Sequence, residues 1–329
     1  MLRGRTALGL CALAAVGAGV MLTAQTKQTD PAFEPRFAPL HATVFTEGGS
    51  FSGSAMSEQL QDLEPLLQQP GAAPRDVFRL YHTQASVYGR RDMPGEAAQA
   101  AATALAALPD AASDPQLAYA QFFLRYSSIR WLADSQQLDA ALQLVHGFQA
   151  EYPLPRIASL PAEMHWAPHS TPAQAQDFPS QLQLLGIYED QGYVLHEQGK
   201  YREAQQANQR LLTVARERLQ ALGMPERLRG VLNNLAQNCY ELGELDQASH
   251  YLQQRLAIAL QAQDHATVYD SYFQLMVLAQ EQGQSQQARQ WLTAYQQHAT
   301  AQQDGEQQAR AQELQAELAQ RQHPKQPAL

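Results

Sequence analysis

The chain has 329 residues, of which 45% are hydrophobic, and its formal net charge is −9 at pH 7. This length and composition are typical of a folded protein with one extended or two compact domains, and they argue against a disordered chain. Because proteins bind nucleic acids largely by neutralising phosphates with Lys and Arg, the acidic balance also argues against a nucleic-acid partner.

Residues 1–24 have the pattern of an export signal. Arg3 and Arg5 precede an uncharged run from Thr6 to Ala24, which is rich in Leu, Ala, Val and Gly. The pattern is typical of a secretory leader, but the run also approaches the roughly 20 residues that cross a bilayer. A cleaved signal peptide and an uncleaved membrane anchor therefore both stay open. Either one predicts a protein that is periplasmic, or anchored in the membrane and facing the periplasm.

Residues 25–56 are predicted to form a flexible linker. They combine three prolines with a Gly- and Ser-rich tract from Gly48 to Ser54, a composition that favours turns and flexible chain. Leucines then recur at helical spacing after Ser57, and we expect a short helix there that covers the first repeat.

Residues 57–153 contain two helical hairpins of similar design. In each one a helix rich in aromatic residues is followed by a second helix, which ends at Pro109 or at Pro153. Aligning the two prolines places Ala97 opposite Ala141, and a small side chain there would let two helices approach closely.

Residues 154–180 interrupt the repetition. The segment holds five prolines, and their spacing is incompatible with a continuous helix. Long loops in compact proteins are often functional. Two interpretations stay open: a hinge that divides the molecule into halves, or a loop that packs into a groove through Met164 and Trp166.

Residues 181–322 repeat one pattern three times. Gly199, Gly243 and Gly283 each stand five positions before an alanine and eleven positions after a large apolar residue. Because glycine accepts the left-handed conformation that ends a helix, each copy is predicted to be a helix, a turn and a helix. Glu306–Arg321 is predicted as a capping helix, and residues 323–329 as a disordered tail.

This pattern resembles the tetratricopeptide repeat family. The similarity is carried by the following residues: Tyr188, Gly192, Gly199, Tyr201 and Ala204; Leu232, Leu235, Ala236, the turn from Leu242 to Leu245, Ala248 and Leu252; and Tyr272, Leu275, Gly283, Ala288 and Leu292. The glycines are 44 and 40 residues apart, against a usual family period of ~34, which indicates a branch with longer helices. The resemblance implies an all-α solenoid of about five helical hairpins with a C-terminal capping helix.

The resemblance also implies where a partner would bind, because the first helix of each hairpin lines a concave groove in this architecture. The implied groove residues are Arg79, His82 and Ser86; Tyr126 and Arg130; Glu189, Tyr193 and His196; Asn233, Gln237 and Tyr240; and Phe273, Val277 and Gln280. Such a mixture of aromatic rings and hydrogen-bonding groups is typical of recognition surfaces. It lacks the Lys- and Asn-rich clamp that some family members use for a terminal carboxylate. The alternative is that rings such as Tyr126, Tyr240 and Phe273 only pack between helices.

No motif in the sequence predicts catalysis, a cofactor or a metal. His165 and His169 lie near Glu163, but the prolines around them disfavour the helix that would bring them together, and no third ligand is evident. Phosphate-binding loops and nucleophile elbows are missing from the sequence. Carboxylates such as Glu189 and Asp190 are predicted to lie on solvated helix faces. We therefore expect a protein that is not an enzyme.

The sequence thus predicts a non-enzymatic scaffold or adaptor of the cell envelope that binds a protein or peptide in its groove. One alternative is a periplasmic sensor or accessory protein that binds a cell-wall or small-molecule ligand there. A second alternative is a hydrolase whose site is formed by the proline-rich insert and the groove. Tethering to the membrane through the N-terminus stays open.

Overall fold

A computed structural model describes residues 30–45, 53–68, 72–108, 114–159 and 179–322 of the chain. Within these ranges the regular structure is helical and contains no strand. The amino-terminal helices are α1 (Phe33–Phe45), α2 (Gly53–Gln61), α3 (Glu64–Leu67), α4 (Pro74–Arg90), α5 (Pro94–Ala107), α6 (Pro115–Asp134), α7 (Leu138–Glu151) and α8 (Leu154–Ala158). The carboxy-terminal helices are α9 (Gln181–Glu197), α10 (Tyr201–Ala221), α11 (Leu228–Glu241), α12 (Leu245–Gln261), α13 (His265–Glu281), α14 (Ser285–Ala301) and α15 (Gly305–Gln322).

The helices from α4 onward pack as consecutive hairpins. The pairs are α4 with α5, α6 with α7, α9 with α10, α11 with α12, and α13 with α14. The second helix of each pair also packs on the first helix of the next pair, and α15 covers α14 at the end. The predicted solenoid of about five hairpins with a capping helix is therefore confirmed.

The turns explain why the hairpins form where they do. Gly199, Gly243 and Gly283 have φ values of +72°, +72° and +70°, in the left-handed region that glycine adopts without steric cost. After Gly199, the backbone N–H of Lys200 donates to the carbonyl of Leu195 at 2.9 Å. This bond closes the end of α9 and starts α10 in the opposite direction.

Other turns use the same geometry without glycine. Asp92, Gln136, Gln263 and Gln303 have φ values of +56°, +63°, +56° and +56°. Residues other than glycine adopt this conformation only at an energetic cost. Because these four turns have no glycine at the left-handed position, the sequence gives no glycine signal for them. The glycine pattern consequently locates the turns of the last three hairpins and is silent about the others.

A small residue stands at the helix contact of every hairpin. Ala97, Ala141, Ala204, Ala248 and Ala288 lie in the second helices of the five pairs, and all are fully buried. Any larger side chain at these positions would push apart helices that pack at roughly 8 to 10 Å. The alignment of the two amino-terminal prolines therefore identified the correct alanines.

The amino-terminal region differs from the predicted linker. Within residues 25–56, α1 is a helix whose Phe33, Phe37 and Val44 are fully buried. They join a hydrophobic cluster with residues of α2, α3 and α4. The spacing of four residues between Phe33 and Phe37 is itself a helical signal. The prolines and the Gly-Ser tract obscured it. The short helix expected after Ser57 exists but begins at Gly53.

The solenoid continues across the proline-rich insert. Its first residues form the short helix α8, whose Ile157 is buried. α7 packs directly against α9, and one core cluster extends from Phe122 on α6 to Leu235 on α11. This continuous core contradicts a hinge that separates two halves. Residues 160–178, which include Met164 and Trp166, lie outside the described residues.

The predicted leader and tail, residues 1–24 and 323–329, also lie outside the described residues. Among the helices that the structure describes, none is both long enough and apolar enough to cross a membrane.

Candidate functional site

The candidate site lies on the first helices of the hairpins, which stand side by side along the molecule. α4 contacts α6, α6 contacts α9, and α9 contacts α11. On α9, Glu189, Tyr193 and His196 recur at intervals of four and three residues, so they occupy one face of the helix. We call the surface formed by the corresponding faces of α6, α9, α11 and α13 the groove.

The α4 end of the predicted site is covered by the chain itself. Arg79 donates from Nη1 and Nη2 to the two carboxylate oxygens of Glu34, at 2.8 and 3.1 Å, and its guanidinium lies 4.9 Å from the centre of the Phe37 ring. The His82 ring stacks against Phe45, with centroids 4.9 Å apart. Arg79 and His82 are therefore held by α1, so the prediction that they are free to contact a partner is wrong.

A polar network joins α6 to α9 in the groove. Arg130 donates from Nη2 to Asp190 Oδ1 at 2.7 Å, and its guanidinium lies 3.9 Å from the centre of the Tyr193 ring. The Tyr193 hydroxyl donates to Asp134 Oδ1 at 3.0 Å. Asp190 is 7% exposed, and a carboxylate this buried needs a charged partner. The network thus fixes the positions of Arg130 and Tyr193.

Glu189 lies beside this network with a different environment. It is half-buried and faces α11, where an added Cβ on Gly230 would lie 2.0 Å from its Oε1. Glycine at that position therefore makes room for the carboxylate. Among the described residues, Glu189 forms no hydrogen bond or ion pair.

Burial changes the acidity of both carboxyls. It raises the pKa of Glu189 to about 7, helped by the negative charge of Asp190. It also raises the pKa of Asp190 to about 6, although Arg130 acts in the opposite direction. The expectation that both carboxylates lie on a solvated face is therefore wrong, because α6 and α11 cover that face of α9.

Tyr126 packs on the same part of the groove. An added Cβ on Gly186 of α9 would lie 2.4 Å from its hydroxyl oxygen, so this glycine is needed for the close approach. Burial raises the pKa of Tyr126 above its usual range. Tyr126 therefore belongs largely to the packing between α6 and α9, as the alternative interpretation of the aromatic residues expects.

Farther along the groove, residues of α9, α11, α12 and α13 line an open cavity of about 280 Å³. Its lining residues are His196, Ala236, Gln237, Tyr240, Glu241, Leu252, Phe273, Gln274, Val277 and Leu278. We call this space the aromatic cavity. Tyr240 and Phe273 are 41% and 36% exposed, and they are two of the five large exposed hydrophobic side chains in the described part of the chain.

The walls of the aromatic cavity are held by specific bonds. His196 Nδ1 lies 2.8 Å from Oδ1 of Asn238, which is fully buried. The Tyr240 hydroxyl donates to Glu281 Oε1 at 2.8 Å. Because the rings of His196 and Tyr240 are oriented before any ligand binds, little of their rotational freedom would be lost on binding.

Two amide atoms near the groove are unused. Asn233 Oδ1 and Asn238 Nδ2 are buried and have no hydrogen-bond partner among the described residues. A buried polar atom without a partner destabilises a protein by roughly 1–3 kcal/mol. Asn238 is fully buried, whereas Asn233 is half-buried, so the Asn233 amide oxygen is the candidate for contact with a bound molecule.

The structure thus divides the predicted groove residues into groups. His196, Gln237, Tyr240, Phe273 and Val277 line the aromatic cavity, while Arg130, Glu189 and Tyr193 lie in or beside the polar network. Sequence reasoning missed the roles of Asp134, Asp190, Glu241 and Glu281. Each of these residues lies one or four positions along the sequence from a predicted groove residue, and this spacing was the available signal.

Across the described ranges, no cluster of three or more His, Cys, Asp or Glu side chains could hold a metal ion. Glu163, His165 and His169 lie outside those ranges.

Two solved structures are similar to this chain. The crystal structure of BtubC (BKLC) from P. vanneervenii has a TM-score of 0.51 at 16% identity, covering 84% of this chain and 94% of that one. The crystal structure of the apo form of RapI has a TM-score of 0.50 at 16% identity, covering 80% of this chain and 64% of RapI. At this identity the likeness shows a shared helical-repeat fold. No protein-family model matches the sequence, and no curated protein matches it.

Proposed function

We propose that this protein is a tetratricopeptide-like scaffold of the cell envelope, which binds a protein or peptide segment in its groove and catalyses no reaction. The proposal also places the chain in the family's longer-repeat branch. The observation that carries it is the aromatic cavity, which Tyr240 and Phe273 line with exposed rings.

Exposed aromatic rings favour binding because a partner removes their apolar surface from water. Aromatic residues supply much of the binding energy in many interfaces. Here the rings border apolar side chains and the amide side chains of Gln237 and Gln274, so a partner could bury apolar area and form hydrogen bonds together. A partner that binds in the groove would use both features.

Capture from envelope extract tests this proposal. The native protein and a Tyr240→Ala, Phe273→Ala variant would be used as bait, with circular dichroism to verify that the variant is helical. The proposal expects one or more proteins that bind the native chain and are lost with the variant. Leu260→Ala is the matched control, because Leu260 is equally exposed but lies on the second helix α12, and it should capture the same proteins.

Other outcomes separate the alternatives. Equal capture by all three proteins would move the site away from the aromatic cavity. No capture, together with a saturable thermal shift on adding cell-wall fragments, would replace the scaffold with a sensor of a small ligand. Hydrolysis of such fragments, lost on deletion of residues 160–178, would favour the hydrolase.

Export is a separate part of the proposal, and it is supported by the leader-like sequence of residues 1–24. Mass spectrometry of the native protein from a periplasmic fraction should find a chain that begins near Gln25 if the leader is cleaved. A chain that begins at Met1 and sediments with membranes would establish the anchor. Recovery in the cytoplasmic fraction would overturn the envelope assignment.

A further inference from the structure

Two carboxylates stand at the aromatic cavity. Glu241 lines the cavity, and Glu281 accepts a hydrogen bond from the hydroxyl of Tyr240 beside it. Both carboxylates are on exposed residues. Of the described residues that line the cavity, none is a Lys or an Arg. An anionic ligand would therefore be repelled here.

The chemistry of the lining suits a long basic side chain. Ala236, Leu252 and Leu278 provide an apolar surface for a methylene stem, while Tyr240 and Phe273 provide aromatic rings for the charged head. Lys and Arg bury their stems and keep their heads at the surface, and cations bind favourably over aromatic faces. The carboxylates beside these rings would pair with the same head.

The size of the cavity favours one side chain over a small-molecule ligand. Its volume of about 280 Å³ lies below the roughly 300–1,000 Å³ of typical small-molecule sites. The cavity is also open to the surface, so one side chain could enter it while its peptide backbone stays outside.

A second acceptor lies farther along the groove. Glu189 has no hydrogen bond or ion pair within the described residues, and Asn233 Oδ1 on α11 is unused as well. The cations near Glu189 are Arg130, which is bonded to Asp190, and Arg227, which is exposed. Asn233 Oδ1 accepts hydrogen bonds, and so does the Glu189 carboxylate in its ionised form, so a donor side chain satisfies both groups. A second basic side chain of the partner meets that requirement.

The two sites have a definite separation. Glu189 and His196 are seven residues apart on α9, which corresponds to about 10.5 Å along a helix. An extended peptide covers this distance in about three residues, at roughly 3.3–3.6 Å each. A partner in extended conformation would therefore place basic residues at positions i and i+3.

We infer that the groove binds an extended peptide segment with two basic residues about three positions apart, one in the aromatic cavity and one at Glu189. This inference rests on the proposed scaffold function and names the chemistry of the partner. It uses the charge complementarity between an acidic, ring-lined groove and a cationic segment.

Fluorescence anisotropy with synthetic peptides tests the inference on the full chain. The probe is a labelled Ala/Gly peptide with two Arg residues about three positions apart. The comparison peptides carry the same Arg residues side by side, or Glu in place of Arg. The first peptide should bind most tightly, and the Glu peptide should not bind. Equal binding of all three peptides, or binding of none, would overturn the inference.

Two single variants locate the contacts. Glu189→Gln and Glu241→Gln should each weaken binding of the Arg peptide by about fivefold, as expected for an exposed or partly buried ion pair. Glu217→Gln on the second helix α10 is the matched control, because Glu217 is exposed and lies outside the groove, and its affinity should be unchanged. A loss as large for Glu217→Gln would show a general charge effect and overturn the assigned sites.

The same measurements separate this inference from the proposed function. A captured envelope protein that depends on Tyr240 and Phe273, but is not displaced by the Arg peptide, would leave the scaffold standing and overturn the basic-segment inference. Capture that is insensitive to those two rings would instead remove the scaffold function at this groove.

Discussion

At the residue scale, the carboxyls of Glu189 and Asp190 are neighbours with unequal surroundings. Asp190 is bonded to Arg130, whereas Glu189 has no such bond within the described residues. Burial disfavours the charged form of both groups, and the charged groups that face Glu189 are Asp190, Arg130 and Arg227. The folded protein is therefore less stable when Glu189 is ionised.

Replacing Glu189 by Gln tests this effect through the pH dependence of stability. The pKa of Glu189 is about 7 in the folded protein, against an ordinary value of 4.5, so the folded state holds the proton more tightly than the unfolded chain does. This stabilisation is complete below pH 4.5 and is lost as the pH rises through 7. Urea unfolding at about pH 5 and about pH 8 should show that Glu189→Gln gains stability relative to wild type at the higher pH.

The control for this measurement is Glu217→Gln, which removes an exposed carboxylate of α10. Its free energy of unfolding should follow wild type at both pH values. If Glu189→Gln also follows wild type, then the carboxylate is not stabilised in its protonated form.

The close packing of α9 against α10 requires a glycine at position 192. An added Cβ there would lie 2.2 Å from Oδ1 of Asn208, a fully buried residue of α10. Gly192→Ala should therefore destabilise the protein by about 1–3 kcal/mol, because a well-packed contact has no room for the methyl group. Denaturant unfolding measures this change.

A glycine in open space is the matched control. An added Cβ on Gly95 meets no atom within 4 Å, so Gly95→Ala in α5 should leave stability unchanged or raise it by up to about 1 kcal/mol. The double variant Gly192→Ala, Asn208→Ala should recover part of the stability that Gly192→Ala loses, because it removes the side chain that the new methyl group would meet. Equal stability of Gly192→Ala and Gly95→Ala would contradict the proposed contact.

At the element scale, α1 is the helix that departs most from the sequence-based prediction, which treated residues 25–56 as a flexible linker. Phe37 is fully buried, stacks on Phe33 at 4.9 Å and contacts Arg79. The helix packs on α4 and covers its hydrophobic surface. The side of α4 that carries Arg79 is therefore covered by the chain itself.

Phe37→Ala should lower the free energy of unfolding by about 3–5 kcal/mol, the usual range for a fully buried phenylalanine. Phe45→Ala is the matched change at an exposed position of the same helix, because Phe45 is 44% exposed, and it should have a much smaller effect. Thermal and urea unfolding would measure both variants. A flexible linker, by contrast, would give two small and similar effects.

At the scale of the whole molecule, the solenoid needs a cover at its open end. Ala311, Leu314 and Leu318 of α15 are buried, and they share one core cluster with Tyr295 and Leu292 of α14. Repeat proteins depend on such terminal caps, because the last hairpin has no following neighbour.

Ending the chain after Asp304 should therefore expose the apolar face of α14, lower the melting temperature and promote self-association. Light scattering coupled to size-exclusion chromatography, together with thermal unfolding, measures both effects. Removal of residues 323–329 alone is the control and should change neither property. A monomeric, equally stable protein without α15 would show that α15 is not a cap.

Much of the fold was predictable because its signals are local. A glycine at a left-handed turn, a small residue in the following helix and apolar residues at helical spacing all lie within a few tens of residues. These signals identified the last three hairpins and, through Ala97 and Ala141, the first two. α1 was missed because its prolines suggested a linker, while its aromatic spacing of four residues went unused.

The site was predictable only in part. The face of each first helix follows from helical periodicity, so His196, Gln237, Tyr240 and Phe273 could be named from the sequence once the family resemblance was accepted. The covering of Arg79 and His82 could not be inferred from the sequence, because α1 comes from a separate stretch of chain. The same limit applies to the bond between Arg130 and Asp190, 60 residues apart.

The sequence by itself thus determined the repeating hairpin, the order of the helices and the face that each first helix presents, since these depend on neighbouring residues. Only the tertiary structure decided that α1 covers α4, that Glu189 and Asp190 are withdrawn from water, and that four helices line the aromatic cavity. These features depend on the distances and angles between helices, because burial and electrostatic energy are set by everything packed around a group.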